Sequence, residues 1–424
     1  MTIAILVIVF FVFLFLGMPI GAALGISSIL SLLSADLPGI LLSQRTFVQL
    51  DAFSLMAVPI FILAGEVMAS AGITKKIVEF ASSLVGHLTA GLAQTSILGA
   101  MLMAGISGSA AADASALGGM LIPAMKDEGY DDDFAAAVIA SSNVIGPIIP
   151  PSIMMIIYGS MTSVSIGDMF VGGVVPGICF GLALMVITYL ISRKRNIPKK
   201  KRATLKEIWA AFRKAIWALL TPVIIVGGIL SGMFTPTESG VMAVVYALAV
   251  GLISRTIKLK DIKPIVIRAA YATTTPMFLI GISSVFGWIL ARNNFPVMAG
   301  NLLSSITTNP CIFILIIWAF YLFIGCFMED TAAMIILTPV LAPIAASYGF
   351  DPVHFGVFTV VTLLIGCVTP PVGMLLFITS SIAEIKLAKL YKTIVPFAVT
   401  LALIALVMGL VPQMVTLLPS VIHG

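Results

Sequence analysis

Apolar segments long enough to cross a lipid bilayer follow one another along almost the whole chain. They lie near residues 2–16, 19–38, 53–72, 86–125, 134–160, 173–191, 217–233, 236–255, 265–290, 310–345, 354–380 and 393–417. Lipid offers no hydrogen bonds to the backbone, and the segments lack the alternating polarity of a membrane β-barrel, so we expect helices. Only 10% of the residues are charged, against about a quarter in soluble domains. The pattern therefore predicts an all-α protein that spans the membrane many times.

The distribution of basic residues predicts which side of the membrane each loop faces. A basic loop lies at residues 193–202, and basic loops remain on the cytoplasmic side. Counting spans outward from it places every other lysine and arginine on the same side, except Arg45 and Arg292. Both termini are then periplasmic. Residues 206–216 carry an apolar stripe on a basic segment, which indicates either a helix lying in the inner interface or a solvated linker.

The N-terminal segment, Met1 to Leu16, has no basic residue before its apolar run. A secretory signal peptide needs such a charge. We therefore expect a retained first span and a chain that is used whole.

The second half of the chain repeats the first. An offset of 220 residues aligns glycines, prolines and an aspartate without a gap: Gly105 with Gly325, Pro123 with Pro343, Gly129 with Gly349, Asp131 with Asp351, Gly146 with Gly366, Pro150 with Pro370 and Pro151 with Pro371. Upstream the offset is 217, which aligns Pro19 with Pro236 and Pro59 with Pro276. Equivalent segments cross in opposite senses, and such an inverted repeat is typical of secondary transporters.

The repeat divides the chain into three parts. Residues 1–191 form the first repeat, with scaffold spans in 1–80, a double apolar segment and a broken span in 86–160, and a closing span at 173–191. Residues 192–216 form the basic loop and the interfacial helix. Residues 217–424 form the second repeat, with scaffold spans in 217–290, the second double segment and broken span in 310–380, and a closing span at 393–417.

Two kinds of irregular segment recur in each repeat. Pro150-Pro151 and Pro370-Pro371 lie inside apolar spans, where consecutive prolines remove backbone donors and break the helix. The freed carbonyls must face protein, water or an ion, and oxygen ligands suit sodium. Each double segment has a Gly-rich or acidic tip and is predicted to be a re-entrant hairpin, whose half-helix N-termini favour a carboxylate. Two complete spans per double segment, and kinked rather than broken helices, are the alternatives.

Several acidic residues lie within the apolar segments. Asp113, Glu329 and Asp330 fall at the hairpin tips, and acids at membrane depth are candidates for a functional site. Glu66 and Glu238 also lie in spans and are either functional or structural. The four cysteines and three histidines have neither metal-ligand nor nucleophile–base spacing, so no enzyme is predicted.

These segments together resemble a known family. The chain contains GISGSAAADASALGG at a hairpin tip, SSNVIGPIIPPS in the first broken span, MEDTAAMIILTPVLAP after the second tip and GCVTPPVG in the second broken span. They are similar to the large membrane subunit of tripartite ATP-independent periplasmic (TRAP) transporters, and the whole pattern resembles the sialic acid branch. The resemblance implies an inverted-repeat elevator-type transporter in the bacterial inner membrane, with two re-entrant hairpins and two broken helices.

The resemblance also implies a function, a coupling ion and partners. The function is sodium-driven uptake of a carboxylate, with sialic acid (N-acetylneuraminate) as the expected substrate and Na⁺ as the coupling ion. The partners are a small four-helix membrane subunit and a periplasmic substrate-binding protein. Because this chain begins directly at its first span, we expect the small subunit to be a separate chain.

The family's binding residues can be carried onto this sequence. The first sodium site comprises Ser107, Ser109, Asn143, Gly146 and Ile149. The second sodium site comprises Gly325, Glu329, Gly366, Thr369 and Pro371. The substrate is expected between the two tips, at Ser109, Asp113, Pro150, Asp330, Thr331 and Pro370.

Two other functions remain open at this point. A self-sufficient sodium–dicarboxylate symporter would have the same repeats and breaks but no soluble partner. An intramembrane enzyme would need a convergent acid–base or metal pair, and the sequence shows none. A channel is disfavoured because the polar groups cluster at the breaks instead of lining a continuous stripe.

Overall fold

The computed structural model describes residues 2–193 and 201–423, except for the side chains of Ser107 and His423. Every regular element in these two ranges is a helix. The first half contains α1 (Thr2–Phe15), α2 (Ile20–Ser34), α3 (Ile40–Leu50), a 3₁₀ turn (Phe53–Met56), α4 (Ala57–Ser70), α5 (Ile73–Val85), α6 (Gly91–Ser107), α7 (Ala110–Asp127), α8 (Asp132–Asn143), α9 (Ile153–Thr162) and α10 (Ile166–Ser192). The predicted all-α class is confirmed.

The second half follows the same order. It contains α11 (Leu205–Leu230), α12 (Pro236–Ile253), α13 (Leu259–Arg292), α14 (Phe295–Ile306), α15 (Pro310–Gly325), α16 (Asp330–Ser347), α17 (Pro352–Ile365), a 3₁₀ turn (Gly366–Val368), α18 (Met374–Ala383), α19 (Leu387–Leu410) and α20 (Gln413–His423). Within the described ranges, seven helices are long and apolar enough to cross a membrane, or eight if α14 and α15, bent by 116°, count as one.

The helix bounds reproduce the repeat that the sequence predicts. α7 and α16 are related by the 220-residue offset at both ends, and α8 and α17 begin at equivalent positions. Gly129 and Gly349, in the turns before α8 and α17, have φ angles of 81° and 82°, a left-handed conformation that favours glycine. Between the hairpins α6–α7 and α15–α16, the chain makes one broken and four continuous passes. This odd number is the one expected for two hairpins that enter from opposite sides of a membrane.

Each predicted break is present, and the helix after the first one has a side-chain cap. α8 ends at Asn143 and α9 begins at Ile153, and the Pro150–Pro151 and Pro370–Pro371 peptide bonds are both cis. The hydroxyl of Ser152 accepts a hydrogen bond from Met155 N at 3.2 Å, which caps α9. Such a cap satisfies one of the backbone donors that a helix start leaves unpaired. The breaks are thus true interruptions and not kinks.

The two repeats interlock at their broken spans. α18, the second part of the second broken span, packs against α7 and α8 of the first repeat, while α9 packs against α16 and α17 of the second. The ammonium group of Lys126 donates to the carbonyl of Ala383, the last residue of α18, at 2.7 Å. A cation at a helix C-terminus offsets the helix dipole. The hairpins and broken spans therefore form one packed unit.

A largely buried carboxylate holds α8 and α19 together at one end of this unit. Asp133, whose side chain is 13% exposed, accepts a hydrogen bond from the Thr393 hydroxyl and pairs with Lys389 at 3.2 Å. We expect Asp133→Ala to lower the free energy of unfolding by about 1–3 kcal/mol, because it leaves the Thr393 hydroxyl unpaired. Lys389→Met should cost less than about 1 kcal/mol, since that ammonium is mostly exposed. Thermal unfolding of the purified variants measures both; a larger loss in Lys389→Met would contradict this ranking.

The structure differs from the sequence prediction in three places. Residues 206–216 do not form a separate interfacial helix, because α11 runs without a break from a capping box at Thr204 to Leu230. No glycine or proline interrupts this helix before Pro222. Glu238 is exposed and caps α12 by accepting from the backbone amide of Thr235 at 2.8 Å, so its role is structural. Four short helices, α3, α5, α14 and α20, were not predicted; within the basic loop, residues 194–200 lie outside the described part of the chain.

Candidate functional site

Both hairpin tips line one cavity of about 380 Å³. Its other walls come from α4, α5, the α8–α9 break and the stretch of α13 from Ala272 to Leu279. This stretch is the middle of the 34-residue helix α13. The tips therefore end at mid-depth, which supports re-entrant hairpins over two complete spans in each double segment.

Four helices begin at this cavity. The first residues of α7, α9, α16 and α18, which are Ala110, Ile153, Asp330 and Met374, all line it. Ser109 caps α7 by accepting from Ala112 N at 3.4 Å, and Glu329 caps α16 by accepting from Ala332 N at 2.8 Å. Helix N-termini carry partial positive charge and bind anions. The cavity thus presents four such termini to an anionic ligand.

Acidic side chains also line the cavity. Asp113 is 1% exposed and Asp330 is 7% exposed, and Glu66 and Glu329 complete the set. The described lining residues include no lysine or arginine. Ionised carboxylates at such a depth are costly unless a cation or hydrogen-bond donors compensate them. These acids therefore need hydrogen-bond donors, protonation or a positive charge to offset them.

Two oxygen atoms lie close to Gly146 at the first break, next to the first hairpin. A Cβ at Gly146 would lie 3.0 Å from Asp113 Oδ2 and 3.2 Å from the carbonyl oxygen of Asn143. Asn143 is fully buried; its Nδ2 donates to Ile139 O at 2.7 Å, and its Oδ1 has no hydrogen-bond partner in the described structure. An unpaired buried oxygen is unusual and calls for a missing ligand. These oxygens suit a small hard cation such as sodium.

Not every predicted member of the first sodium site faces these oxygens. Ser109 lies at the α7 cap, and Ser107 ends α6, although its side chain lies outside the described part of the chain. The side chain of Ile149 packs on α10, since a Cβ at Gly177 would lie 2.3 Å from Ile149 Cγ1. Only the backbone of Ile149 is thus available to an ion.

The backbone of the second break touches the tip of the second hairpin at Gly325 and Gly366. A Cβ at Gly366 would lie 2.5 Å from both the Cα and the carbonyl oxygen of Gly325. Val372 N donates to the carbonyl of Cys326 at 3.3 Å, which ties the break to the tip. The Thr369 hydroxyl donates to Ile365 O at 2.8 Å. This close contact gathers several carbonyl oxygens and one hydroxyl, which again suits sodium.

Two predicted ligands at the second break have other partners. Pro371 O accepts a hydrogen bond from the Tyr391 hydroxyl. Glu329 is exposed at the tip, where its carboxylate serves as the α16 cap. The Pro371 carbonyl and the Glu329 carboxylate can each accept a further contact, but each already has a partner within the protein.

Four of the six predicted substrate residues line the cavity and two do not. Ser109, Asp113, Asp330 and Thr331 line it. Pro150 and Pro370 are absent from its walls. The carbonyl of Pro150 instead faces the first tip, 3.3 Å from where a Cβ at Gly105 would stand. Pro147 lines the cavity in place of Pro150, because the chain turns away from the cavity between these two prolines.

One charged pair near the cavity was not predicted from the sequence. Arg268 Nε donates to Glu66 Oε2 at 2.9 Å, and Glu66 lines the cavity. The sequence shows an acid and a base in two apolar spans, but 202 residues separate them. The only available signal was that an acid and a base each fall within an apolar segment.

The sequence is similar to a family of membrane transport proteins over most of its length. The family model "Tripartite ATP-independent periplasmic transporter, DctM component" matches residues 7–414. A sialic acid TRAP transporter large permease protein of Vibrio cholerae is 40% identical, with 97% of each chain covered. A 2,3-diketo-L-gulonate TRAP transporter large permease protein of Escherichia coli is 37% identical, with 95% of each covered.

The fold also occurs in a solved structure of low sequence similarity. The YdaH transporter of Alcanivorax borkumensis has a TM-score of 0.66 to this chain, with 86% of each chain covered and 12% identity. At this identity the likeness concerns the fold alone.

Proposed function

Since the chain belongs to the DctM-component family of tripartite ATP-independent periplasmic transporters, we propose that it couples sodium entry to uptake of a carboxylate. It is a transport protein and not an enzyme, as its relatives are permeases. The observation that carries the proposal is the mid-depth cavity, where four helix N-termini meet four carboxylates.

The acidic side chains explain why a cation accompanies the substrate. The helix N-termini attract the substrate carboxylate, while any ionised acid beside them repels it. Sodium would be held at the first break by Asn143 and Gly146 and at the second by Gly325, Gly366 and Thr369. Bound sodium supplies positive charge that offsets the acids, so substrate and ion favour each other's binding.

The elevator movement and the orientation are further parts of the proposal. The packed unit of hairpins and broken spans carries the site, and α4 and α13 form a wall that stays in place. The cavity reaches α5, which bears Lys75 and Lys76. With basic residues cytoplasmic, this form faces inward, both termini are periplasmic, and the protein resides in the inner membrane.

The substrate is proposed to be sialic acid, supplied by partners. The support is the 40% identity with a sialic acid permease, although a 37% identical relative is named for 2,3-diketo-L-gulonate. We propose that a small membrane subunit and a periplasmic binding protein complete the system.

Reconstitution tests this function directly. The chain, its small subunit and the substrate-loaded binding protein are placed in proteoliposomes, and uptake of labelled N-acetylneuraminate is measured with an inward sodium gradient or with choline in its place. We expect uptake only with the gradient. Equal uptake in choline would exclude sodium coupling, and equal uptake without the binding protein would favour the self-sufficient symporter.

A further inference from the structure

A charged pair with spare hydrogen-bond donors lies at the rim of the cavity. Arg268 Nε donates to Glu66 Oε2 and Arg268 Nη2 donates to Ser70 Oγ, both at 2.9 Å. These contacts join α13 to the end of α4 and use two of the five N–H donors of a guanidinium. The Arg268 side chain is 51% exposed, so its remaining donors are open to a ligand.

The position of Arg268 on α13 directs it toward the cavity. Residues three, four, seven and eight apart share a helix face. Ala272, Thr275 and Pro276, which line the cavity, stand four, seven and eight residues after Arg268. Arg268 is therefore on the cavity face of α13, one turn beyond the lining residues toward the basic start of that helix.

The charges around the cavity indicate what this arginine contributes. The cavity is lined by four carboxylates and, in the described residues, by no lysine or arginine. A carboxylate that leaves the helix N-termini toward α5 would next meet Glu66, which would repel it. Arg268 neutralises Glu66 and places a guanidinium at that point.

We propose that Arg268 binds the carboxylate of the transported anion at the rim of the cavity, on the wall formed by α4 and α13. This inference rests on the proposed uptake of a carboxylate. Glu66 and Ser70 hold the guanidinium plane, and its free Nη edge donates two hydrogen bonds to the substrate carboxylate. Arginine suits this role because its planar fork matches a carboxylate.

The test combines a change in the protein with a change in the ligand. Wild type is first assayed for sodium-dependent uptake of N-acetylneuraminate, 2,3-diketo-L-gulonate and succinate. Binding of whichever acid is transported, and of its methyl ester, is then measured calorimetrically in saturating NaCl with purified wild type, Arg268→Gln, Arg268→Lys and Glu66→Gln. Lys214→Gln is the matched control, because Lys214 pairs with Glu79 at 3.6 Å and neither residue lines the cavity.

We expect Arg268→Gln to weaken binding of the acid about tenfold or more, as charge-assisted hydrogen bonds are lost, and to leave binding of the ester nearly unchanged. The affinity of Arg268→Lys for the acid should lie between those of wild type and Arg268→Gln. Glu66→Gln should weaken acid binding less than Arg268→Gln does, because the guanidinium remains but loses its charged partner. Lys214→Gln should bind both compounds like wild type.

Three outcomes separate this inference from the proposed function. Equal weakening of acid and ester, shared by Arg268→Gln and Glu66→Gln, would assign the pair a purely structural role and overturn the inference. Unchanged acid binding in Arg268→Gln would overturn it as well, while sodium-dependent uptake by wild type would leave the function intact. No sodium-dependent uptake of any of the three acids by wild type would reject the function, and the inference with it.

Discussion

Gly366→Ala is expected to reduce sodium-dependent uptake about a hundredfold. The added Cβ would stand 2.5 Å from the Cα and carbonyl oxygen of Gly325. Both neighbours are backbone atoms, so a rotamer change cannot relieve the clash, and overpacking of this kind costs about 1–3 kcal/mol or more. The hairpin tip and the break must therefore move apart. This movement separates the carbonyl oxygens that are proposed to bind sodium. Uptake in proteoliposomes as a function of sodium concentration measures the loss.

Gly227→Ala is the matched control for this variant. Gly227 lies within α11, and a Cβ there would meet no atom within 4 Å. Alanine favours a helix over glycine, so uptake should equal that of wild type. Normal sodium dependence in Gly366→Ala would show that the contact between the second tip and its break has no part in coupling.

Asn143→Leu is expected to raise the sodium concentration for half-maximal uptake at least about tenfold. Leucine branches at Cγ as asparagine does but lacks Oδ1, the buried oxygen that has no hydrogen-bond partner in the described structure. Loss of an ion ligand in a buried site costs about 1.5–3 kcal/mol, which corresponds to a tenfold or larger change in affinity. Sodium titration of uptake, at saturating substrate, gives the value.

Gln94→Leu separates this effect from a loss of stability. Gln94 is also buried, its Nε2 donates to Met185 O at 3.0 Å, and its Oε1 has no partner in the described structure. It lies at the start of α6, away from the cavity lining. Both variants should lose some thermal stability, but only Asn143→Leu should change sodium dependence. If the two variants needed the same sodium concentration for half-maximal uptake, Asn143 would not be a ligand of the ion.

The repeat and the breaks could be predicted because they depend on local chemistry. Pro150-Pro151 and Pro370-Pro371 interrupt a helix in any surroundings. Their equal distance in sequence from the two hairpin tips does not depend on how the helices pack. The short helices α3, α5, α14 and α20 were missed for the opposite reason. Each is 11 to 13 residues long and has a polar face, so none forms an apolar run of spanning length.

The composition of the site was predictable, but its contacts were not. Asp113 and Asp330 were identified because an acid inside an apolar segment is costly anywhere in the chain. Pro150 and Pro370 were placed with the substrate, but the cavity walls exclude both. Which face of a break turns toward the cavity depends on the helices packed around it.

The sequence by itself determined the class of fold, the number and sense of the repeats and the positions of the breaks. These follow from the hydrophobicity and backbone limits of residues that are neighbours in the chain. The tertiary structure alone decided that Gly325 meets Gly366, that Asn143 retains an unpaired oxygen and that Arg268 pairs with Glu66. Each of these depends on distances between helices far apart in sequence, which no local pattern records.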